Sequence, residues 1–241
     1  MKCVIISGGS IDDAFALEWL ERNTYDLLIA ADSGMEFSFR NQLTPDVIAG
    51  DFDSVGQEAY EYYMDMMKAN VHTGAHTEVN QRNEKSVNVR PEILRLPSEK
   101  DDTDTEFVIR EAIRRGATKI TILGGTGTRL DHVLANVHLL GIGLSCNVAI
   151  ELVDANNRIR MISSEAVSEL MIEKSTQFGD YVSILPFVGT ASGVNLQGCK
   201  YPLENATIES FCSLGVSNEI VETQARISVK NGVLLVIESR D

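Results

Sequence analysis

The stretch Ala49-Gly50-Asp51-Phe52-Asp53-Ser54 combines the end of a predicted strand with two aspartates, and this combination indicates both the fold and the chemistry of the chain. It follows a short apolar run, 47–49, which predicts a buried strand that ends at a glycine. Asp51 and Asp53 are two residues apart, so an extended backbone would point both carboxylates the same way. Because neighbouring carboxylates repel each other, the pattern favours a cation between them. A solvated loop is the alternative, since aspartate is common in turns.

Acidic residues recur at two further points where a predicted strand leads into a predicted helix. One is Lys100-Asp101-Asp102-Thr103-Asp104, and the other is Gly124-Gly125-Thr126-Gly127-Thr128-Arg129-Leu130-Asp131-His132. Since the carboxyl ends of parallel strands share one edge of a sheet, acids from the three junctions could converge there. N-capping of the helix is the alternative for Asp101 and Asp104, because aspartate is a preferred N-cap residue.

Strands and helices alternate through the first 162 residues. Predicted strands cover 3–6, 25–31, 47–49, 93–96, 119–123, 148–153 and 159–162, and the intervening stretches have the apolar faces and caps of helices. This order predicts an α/β domain with a mostly parallel, doubly wound sheet and helices on both faces. Residues 69–92 are polar and without a period, and they predict an inserted loop or hairpin.

Residues 163–241 have a different pattern, with short strands and no amphipathic helix. Strands are predicted at 170–172, 181–185, 208–209, 225–229 and 233–237. Asn231-Gly232, between the last two, predicts a hairpin turn. The carboxyl-terminal part is therefore predicted to be a small all-β sandwich domain.

Composition excludes several classes of function. The net charge of −14 argues against binding to nucleic acid or to an anionic membrane, because no basic block offsets it. The four cysteines are scattered and form no Cys-x-x-Cys pair, which favours free thiols in a reducing compartment. Apolar runs are too short for a signal peptide or a membrane span. We therefore expect a cytoplasmic protein.

The clustered acids indicate the kind of metal. Carboxylates without histidine or cysteine beside them are hard oxygen ligands, which suit Mg²⁺, and the candidates are Asp51, Asp53, Asp101 and Asp104. The turn 124–127 precedes a helix and predicts a cradle of backbone N–H groups for phosphate. It matches neither the Walker pattern nor the full dinucleotide fingerprint, and no nucleophile elbow is present.

The helix after the glycine turn carries polar residues at helical spacing. Arg129, His132 and Asn136 are predicted to form one polar stripe, with Leu130, Val133, Leu134 and Val137 on the opposite, apolar face. Arg129 and Lys100 could pair with phosphate oxygens, although each could equally be an ordinary surface charge.

Taken together, these motifs resemble the thiamine pyrophosphokinase family. The resemblance rests on Ala31-Asp32-Ser33-Gly34 and on the stretches 50–54, 100–104 and 124–132. Tyr201-Pro202-Leu203 and Gly215-Val216-Ser217-Asn218-Glu219 are similar to the family's thiamine-binding β domain. The similarity spans nearly the whole chain except 69–92, and the motifs occur in the family's order.

The resemblance implies an activity and a set of roles. The family transfers the diphosphate of ATP to the hydroxyethyl oxygen of thiamine, giving thiamine diphosphate and AMP, and the active sites would lie at the subunit interface of a homodimer. Asp51, Asp53 and Asp104 would hold Mg²⁺ with Asp101 near them, and Asp131 would position or activate the hydroxyl. ATP would contact Asp32, Lys100, Gly125, Arg129 and His132, and thiamine would contact Ser217 and Asn218.

Two other readings stay open at this point. A diphosphokinase acting on another alcohol, such as a hydroxymethyl-pterin, would use the same metal chemistry, although the stretch 215–219 favours thiamine. A non-catalytic nucleotide-sensing module is the other reading. It would not need four acids at several junctions.

Overall fold

A computed structural model of the protein describes residues 1–53, 55–68, 90–99 and 101–241. Residues 69–89 of the predicted insertion lie outside the described residues, and so does Lys100. Glu92, the last residue of the predicted insertion, instead begins a strand.

The first part of the described chain alternates strands and helices, as predicted. In order they are β1 Lys2–Ile6, α1 Asp13–Arg22, β2 Leu27–Ala31, α2 Gly34–Arg40, β3 Val47–Gly50, α3 Gln57–Lys68, β4 Glu92–Arg95, α4 Asp104–Arg114, β5 Lys119–Leu123, α5 Leu130–Cys146 and β6 Ala149–Val153. The second part contains β7 Asn157–Ser163, β8 Glu169–Glu173, a short 3₁₀ turn Lys174–Thr176, β9 Tyr181–Pro186, β10 Ala191–Gln197, β11 Leu203–Ile208, β12 Gln224–Ser228 and β13 Val233–Ser239.

Nine of the described strands form one sheet in the order β4-β3-β2-β1-β5-β6-β7-β13-β9. The six strands from β4 to β6 are parallel, and Ile5 of β1 pairs with Ile29 of β2 on one side and Ile122 of β5 on the other. The chain builds outward from β1 to β4 in one direction and then from β5 in the other. Such a reversal opens a crevice at the carboxyl ends of β1 and β5.

Helices cover both faces of the parallel part. Side chains such as Ile5 and Ile29 pack against α4 and α5, through Val108 and Leu140 among others. The opposite face packs against α1 and α2 in one cluster, and against α2 and α3 in another. The predicted mixed α/β fold class is therefore confirmed.

A second core lies between two sheets. Four of the described strands form an antiparallel sheet in the order β11-β10-β12-β8. Val194 and Ile227 of this sheet pack with Ile162, Ile184 and Leu234, which belong to β7, β9 and β13 of the large sheet. One layer of the sandwich is thus the antiparallel end of the large sheet. The division of the chain at 162/163 stays a prediction, and β7 pairs with β13 across that line.

The hairpin predicted at Asn231-Gly232 is wrong. Strand β12 belongs to the four-stranded sheet and β13 to the large one, so the turn carries the chain between sheets. The backbone of Asn231 pairs with that of Ser192 instead, through N–H···O bonds of 2.9 and 3.0 Å. A glycine with a φ of +98° serves this crossing as well as it would serve a hairpin.

Strand β10 was missed in the sequence. It contains Gly193, whose φ is +65°, and its pairing with β11 is irregular on either side of Val194. Glycine and a bulge weaken the alternation on which strand prediction depends.

The cysteines are free thiols, as predicted, with Cys146 and Cys212 exposed. Burial raises the pKa of Cys3 to about 12 and that of Cys199 to about 11, which keeps both thiols protonated and unreactive. None of the helices in the described part of the chain has the length and apolar character needed to cross a membrane.

Candidate active site

A cavity of about 620 Å³ opens where the strand order reverses, at the carboxyl ends of β1, β2, β3 and β5. Its lining among the described residues is Ser7, Gly8, Gly9, Ser10, Ala31, Asp32, Ser33, Asp51, Ser98, Asp102, Thr103, Asp104, Thr105, Gly125, Thr126, Gly127, Thr128, Arg129, His132, Val133 and Asn136. All of these belong to the first part of the chain, so the β-rich part contributes none of the described lining.

Three carboxylates from two strand ends meet at this cavity. Oxygen atoms of Asp32, Asp51 and Asp53 all lie within 4.8 Å of one another. Asp32 and Asp51 are half-buried, and Asp53 is exposed. Acids at that separation repel each other unless a cation lies between them, and three carboxylates form a ligand set that suits Mg²⁺.

The backbone brings the two strand ends unusually close. A Cβ atom on Gly50 would lie 3.1 Å from the Cα of Asp32, and the N–H of Asp32 donates to the carbonyl of Ala49 at 2.8 Å. Asp32 and Phe52 have φ angles of +47° and +64°, in the left-handed region that costs energy for residues other than glycine.

Phe52 separates the two acids of the second strand end and supports them. Its ring is 8% exposed and packs in an apolar cluster with Met35 and Ile48. The N–H of Asp53 donates to Oδ1 of Asp51 at 3.2 Å. A buried aromatic anchor between two carboxylates limits how far they can separate.

Asp104 and Asp101 have different positions. Asp104 is the first residue of α4 and lines the cavity. Asp101 is exposed and is not among the described lining residues, whereas its neighbour Asp102 is. The N-capping alternative for these acids is wrong, because Oγ1 of Thr103 caps α4 by accepting from the N–H of Glu106.

The glycine turn after β5 packs directly against the loop after β1. The N–H of Gly9 donates to the carbonyl of Gly124 at 2.8 Å, and a Cβ on Gly9 would lie 2.1 Å from the carbonyl oxygen of Thr126. Gly124 itself has a φ of +70°. Residues 125–128 line the cavity just before the start of α5, as the predicted phosphate cradle requires.

The residues of the polar stripe predicted along α5, Arg129, His132 and Asn136, all line the cavity, but burial along the helix does not follow polarity. Leu130 and Leu134, assigned to the apolar face, are 67% and 54% exposed. Asn136, assigned to the polar stripe, is buried, and its Nδ2 donates to the carbonyl of Gly125 at 2.7 Å. Burial of an amide is tolerated when its hydrogen bonds are made inside the protein, which periodicity alone cannot indicate.

Arg129 and Asp131 form an ion pair of 2.7 Å at the mouth of the cavity. Both side chains are exposed, and Arg129 lines the cavity together with His132, whereas Asp131 is not among the described lining residues. The hydrogen bond from Arg129 lowers the pKa of Asp131 below its usual range. A carboxylate with a lowered pKa is a weak base and stays ionised near neutral pH, so its oxygens act as hydrogen-bond acceptors.

Ser217 and Asn218 lie in the loop between β11 and β12. Asn218 is 2% exposed, and its side chain accepts from the N–H of Tyr201 and donates to its carbonyl. Ser217 is exposed with a φ of +56°, and its N–H donates to Oγ of Ser183 at 2.9 Å. Asn218 therefore shapes the loop, and Ser217 presents a free face to solvent.

One polar contact of the cavity went unnoticed in the sequence. Ser7 and Thr105 are buried, and their hydroxyl oxygens lie 2.7 Å apart, which ties the end of β1 to the first turn of α4. A serine directly after a buried strand is the one signal that the sequence offers for it.

An α/β sheet that gathers carboxylates and a glycine turn around its crevice is typical of enzymes that act on phosphate compounds. Family models narrow this class. Residues 20–151 match "Thiamin pyrophosphokinase, catalytic domain", and residues 168–234 match "Thiamin pyrophosphokinase, vitamin B1 binding domain". The chain belongs to the thiamine pyrophosphokinase family, and it is a transferase of diphosphate groups.

Relatives and solved structures agree with this assignment. Thiamine pyrophosphokinase of Bacillus subtilis is 30% identical over 217 residues, which cover 90% of this chain and 89% of that protein. The crystal structure of thiamine pyrophosphokinase from Bacillus subtilis superposes with a TM-score of 0.80 at 28% identity, over the full length of both chains. That of Geobacillus thermodenitrificans gives 0.78 at 26% identity, over 100% of this chain and 98% of the other.

Proposed function

We propose that this protein transfers the diphosphate group of ATP to the hydroxyethyl oxygen of thiamine, and that it releases AMP. The convergence of Asp32, Asp51 and Asp53 at a cavity that also holds the glycine turn carries this proposal. Membership of the family supports thiamine and ATP as the substrates.

Mg²⁺ is the metal that the carboxylates would hold. The ligand set of Asp32, Asp51 and Asp53 consists of oxygen atoms only, and Asp104 faces the same cavity. A bound Mg²⁺ supplies positive charge against the phosphate oxygens. In its absence the three acids would repel a triphosphate, so nucleotide binding should depend on the metal.

The phosphates would lie against the N-terminal end of α5. Backbone N–H groups of the turn around Gly125 offer donors there, and Arg129 and His132 line the same wall. The pKa of Arg129 is raised by its bond to Asp131, so its guanidinium stays charged at every working pH. Lys100 stays a predicted contact that lies outside the described residues.

Thiamine's hydroxyl needs positioning more than it needs a strong base. Transfer of a phosphoryl group depends mainly on in-line orientation and on neutralisation of charge. Asp131, with its lowered pKa, would accept a hydrogen bond from the hydroxyl and orient its oxygen. Asp131 would have to exchange part of its contact with Arg129 to do so.

Thiamine binding would require a second subunit. Leu130 and Leu134 are exposed beside the cavity, and Phe211, Leu214 and Val216 are exposed in the loop that carries Ser217. Exposed apolar residues in groups mark interaction surfaces. We therefore propose a homodimer in which the loop of one subunit, with Ser217 and Asn218, covers the cavity of the other. The proposed location is the cytoplasm.

A product assay tests the proposal. Purified protein is incubated with ATP, Mg²⁺ and thiamine, and nucleotides and thiamine esters are separated by chromatography. Equal amounts of AMP and thiamine diphosphate are expected, and excess chelator should stop their formation. Formation of ADP, turnover without divalent metal, or a preference for a hydroxymethyl-pterin as acceptor would contradict it.

A further inference from the structure

Glu36 makes a hydrogen bond that links the two acidic segments. Its Oε1 accepts from the N–H of Gly56 at 2.6 Å. Gly56 directly precedes α3, and its carbonyl accepts from the N–H of Tyr60 at 3.1 Å, so it is the N-cap residue of that helix. A carboxylate at this position also interacts favourably with the N-terminal end of the helix dipole.

The position of this bond relates it to the carboxylates. Glu36 lies in the first turn of α2, four residues after Asp32, and Gly56 lies three residues after Asp53. On the strand side, the two segments are already joined by the bond from Asp32 to Ala49. The Glu36–Gly56 bond joins them a second time, beyond the acids.

The Glu36–Gly56 bond opposes the repulsion between the three carboxylates. Asp32, Asp51 and Asp53 lie within 4.8 Å of one another, so their mutual repulsion drives the two segments apart. Phe52 fixes the middle of the second segment by burial, and the Glu36 bond fixes its far end.

We propose that Glu36 is a positioning residue for the cation site, which holds Asp51 and Asp53 within reach of Asp32 without contacting the metal or the substrates itself. The inference rests on the proposed function, because it presumes that the three acids bind a divalent cation. It assigns to Glu36 a role that acts through one hydrogen bond.

Metal binding without nucleotide tests this role directly. Mn²⁺ replaces Mg²⁺ as the probe, and its binding to the purified protein is titrated by electron paramagnetic resonance. Glu36→Ala removes the acceptor, and it should weaken Mn²⁺ binding by about tenfold, as loss of a supporting partner does at other metal sites. Glu36→Gln keeps an Oε1 acceptor and should stay within about twofold of the wild type. Glu58→Ala removes a carboxylate from the first turn of α3 and should have little effect.

Each alternative result has a distinct meaning. If Glu36→Gln and Glu36→Ala weaken Mn²⁺ binding equally, the charge of Glu36 acts and not its hydrogen bond. If Glu36→Ala binds Mn²⁺ with wild-type affinity, the hydrogen bond is irrelevant to the site. Both results would overturn the proposal. If Glu36→Ala does not fold, Glu36→Met replaces it, because methionine keeps the apolar stem of the side chain but offers no carboxylate oxygen to the N–H of Gly56. Unchanged Mn²⁺ affinity in that variant would also overturn the proposal. A wild-type protein that binds no Mn²⁺ without nucleotide would overturn this proposal, whereas turnover that persists in excess chelator would overturn the proposed metal function, which separates the two failures.

Discussion

Nδ2 of Asn136 donates a hydrogen bond of 2.7 Å to the carbonyl oxygen of Gly125, and both residues are buried at the wall of the cavity. Through this bond, Asn136 in the second turn of helix α5 holds the peptide plane that contains the carbonyl of Gly125. It therefore helps to fix the direction in which the turn presents its N–H groups to the cavity.

Asn136→Asp should impair ATP binding selectively. The carboxylate cannot donate to the carbonyl of Gly125, so the glycine turn proposed to bind the phosphates is no longer held in place. We expect about a tenfold rise in KM for ATP, which corresponds to about 1.4 kcal/mol. KM for thiamine should change little. Asn23→Asp is the matched control, since Nδ2 of Asn23 donates to a carbonyl at 2.8 Å on the surface of α1. Equal effects of both variants on KM for ATP would contradict the prediction.

Asp51→Asn and Asp104→Asn should each abolish most turnover without unfolding the protein. In the proposed mechanism each variant loses a carboxylate that would hold Mg²⁺, so kcat should fall by at least about 100-fold. The thermal unfolding midpoint should stay the same or rise, because repulsion between acids at the cavity is relieved. Asp65→Asn, an exposed acid on α3, serves as the control and should retain full activity. A collapse of the unfolding curve in the cavity variants would point instead to a structural role.

Ser217→Ala should affect thiamine binding, whereas Asn218→Ala should affect the stability of the protein. Ser217 is exposed, so its loss should raise KM for thiamine several-fold and leave KM for ATP unchanged. Asn218 bonds to both backbone groups of Tyr201, so its loss should lower the free energy of unfolding by about 1–3 kcal/mol. Steady-state kinetics and chemical denaturation measure the two effects. Similar rises in both KM values for Ser217→Ala would place the loop away from thiamine.

Mixing two inactive variants should restore activity if the sites are shared between subunits. A heterodimer of Asp51→Asn with a variant that disables the loop, such as Val216→Asp, contains one intact cavity facing one intact loop. Up to about half of the sites in that heterodimer would then be complete, by the symmetry of a two-fold dimer. Activity is measured after co-expression and after separate expression. No recovery in a preparation shown to contain heterodimer would argue for sites within one chain.

Glu111 should make stability depend on pH in the acidic range. Hydrogen bonds from Arg114 and Arg115 lower its pKa from 4.5 to about 2. Since the folded-state pKa is the lower one, the stabilisation is complete above about pH 4.5 and is lost as the pH falls towards 2. Glu111→Gln should therefore cost about 1–2 kcal/mol at pH 7, after allowance for the exposed partner Arg114, and much less near pH 2.

Denaturant unfolding at several pH values checks the dependence on Glu111. Glu18→Gln is the control, because Glu18 and its partner Arg22 are both mostly exposed and should contribute little at any pH. A Glu111→Gln deficit that stays constant down to pH 2 would contradict the assigned cause.

The parallel part of the fold was predictable because each of its elements has a local signal. Most of the buried parallel strands are continuous apolar runs, and glycine or aspartate marks where several of them end, as at Gly50 and Asp32. The order of these signals also placed the acids at one edge of the sheet, where Asp32 and Asp51 line the cavity.

The remaining features depend on contacts between distant parts of the chain. Asn136 is buried where its amide can donate to the carbonyl of Gly125, eleven residues earlier in the chain. Leu130 is apolar but is exposed in the single chain. Gly232 turns the chain between sheets because β13 finds its partners in β7 and β9. No local pattern carries that information, since pairing partners are chosen in three dimensions.

Strand β13 closes the large sheet between β7 and β9, although it follows every other described strand in the chain. During synthesis, β7 therefore keeps an open edge until residues 233–239 leave the ribosome. Open edges are templates for pairing with other polypeptides, so nascent chains at this stage are the form most prone to aggregate. Expression yield should thus respond to chaperone supply, and products truncated before residue 233 should accumulate in inclusion bodies.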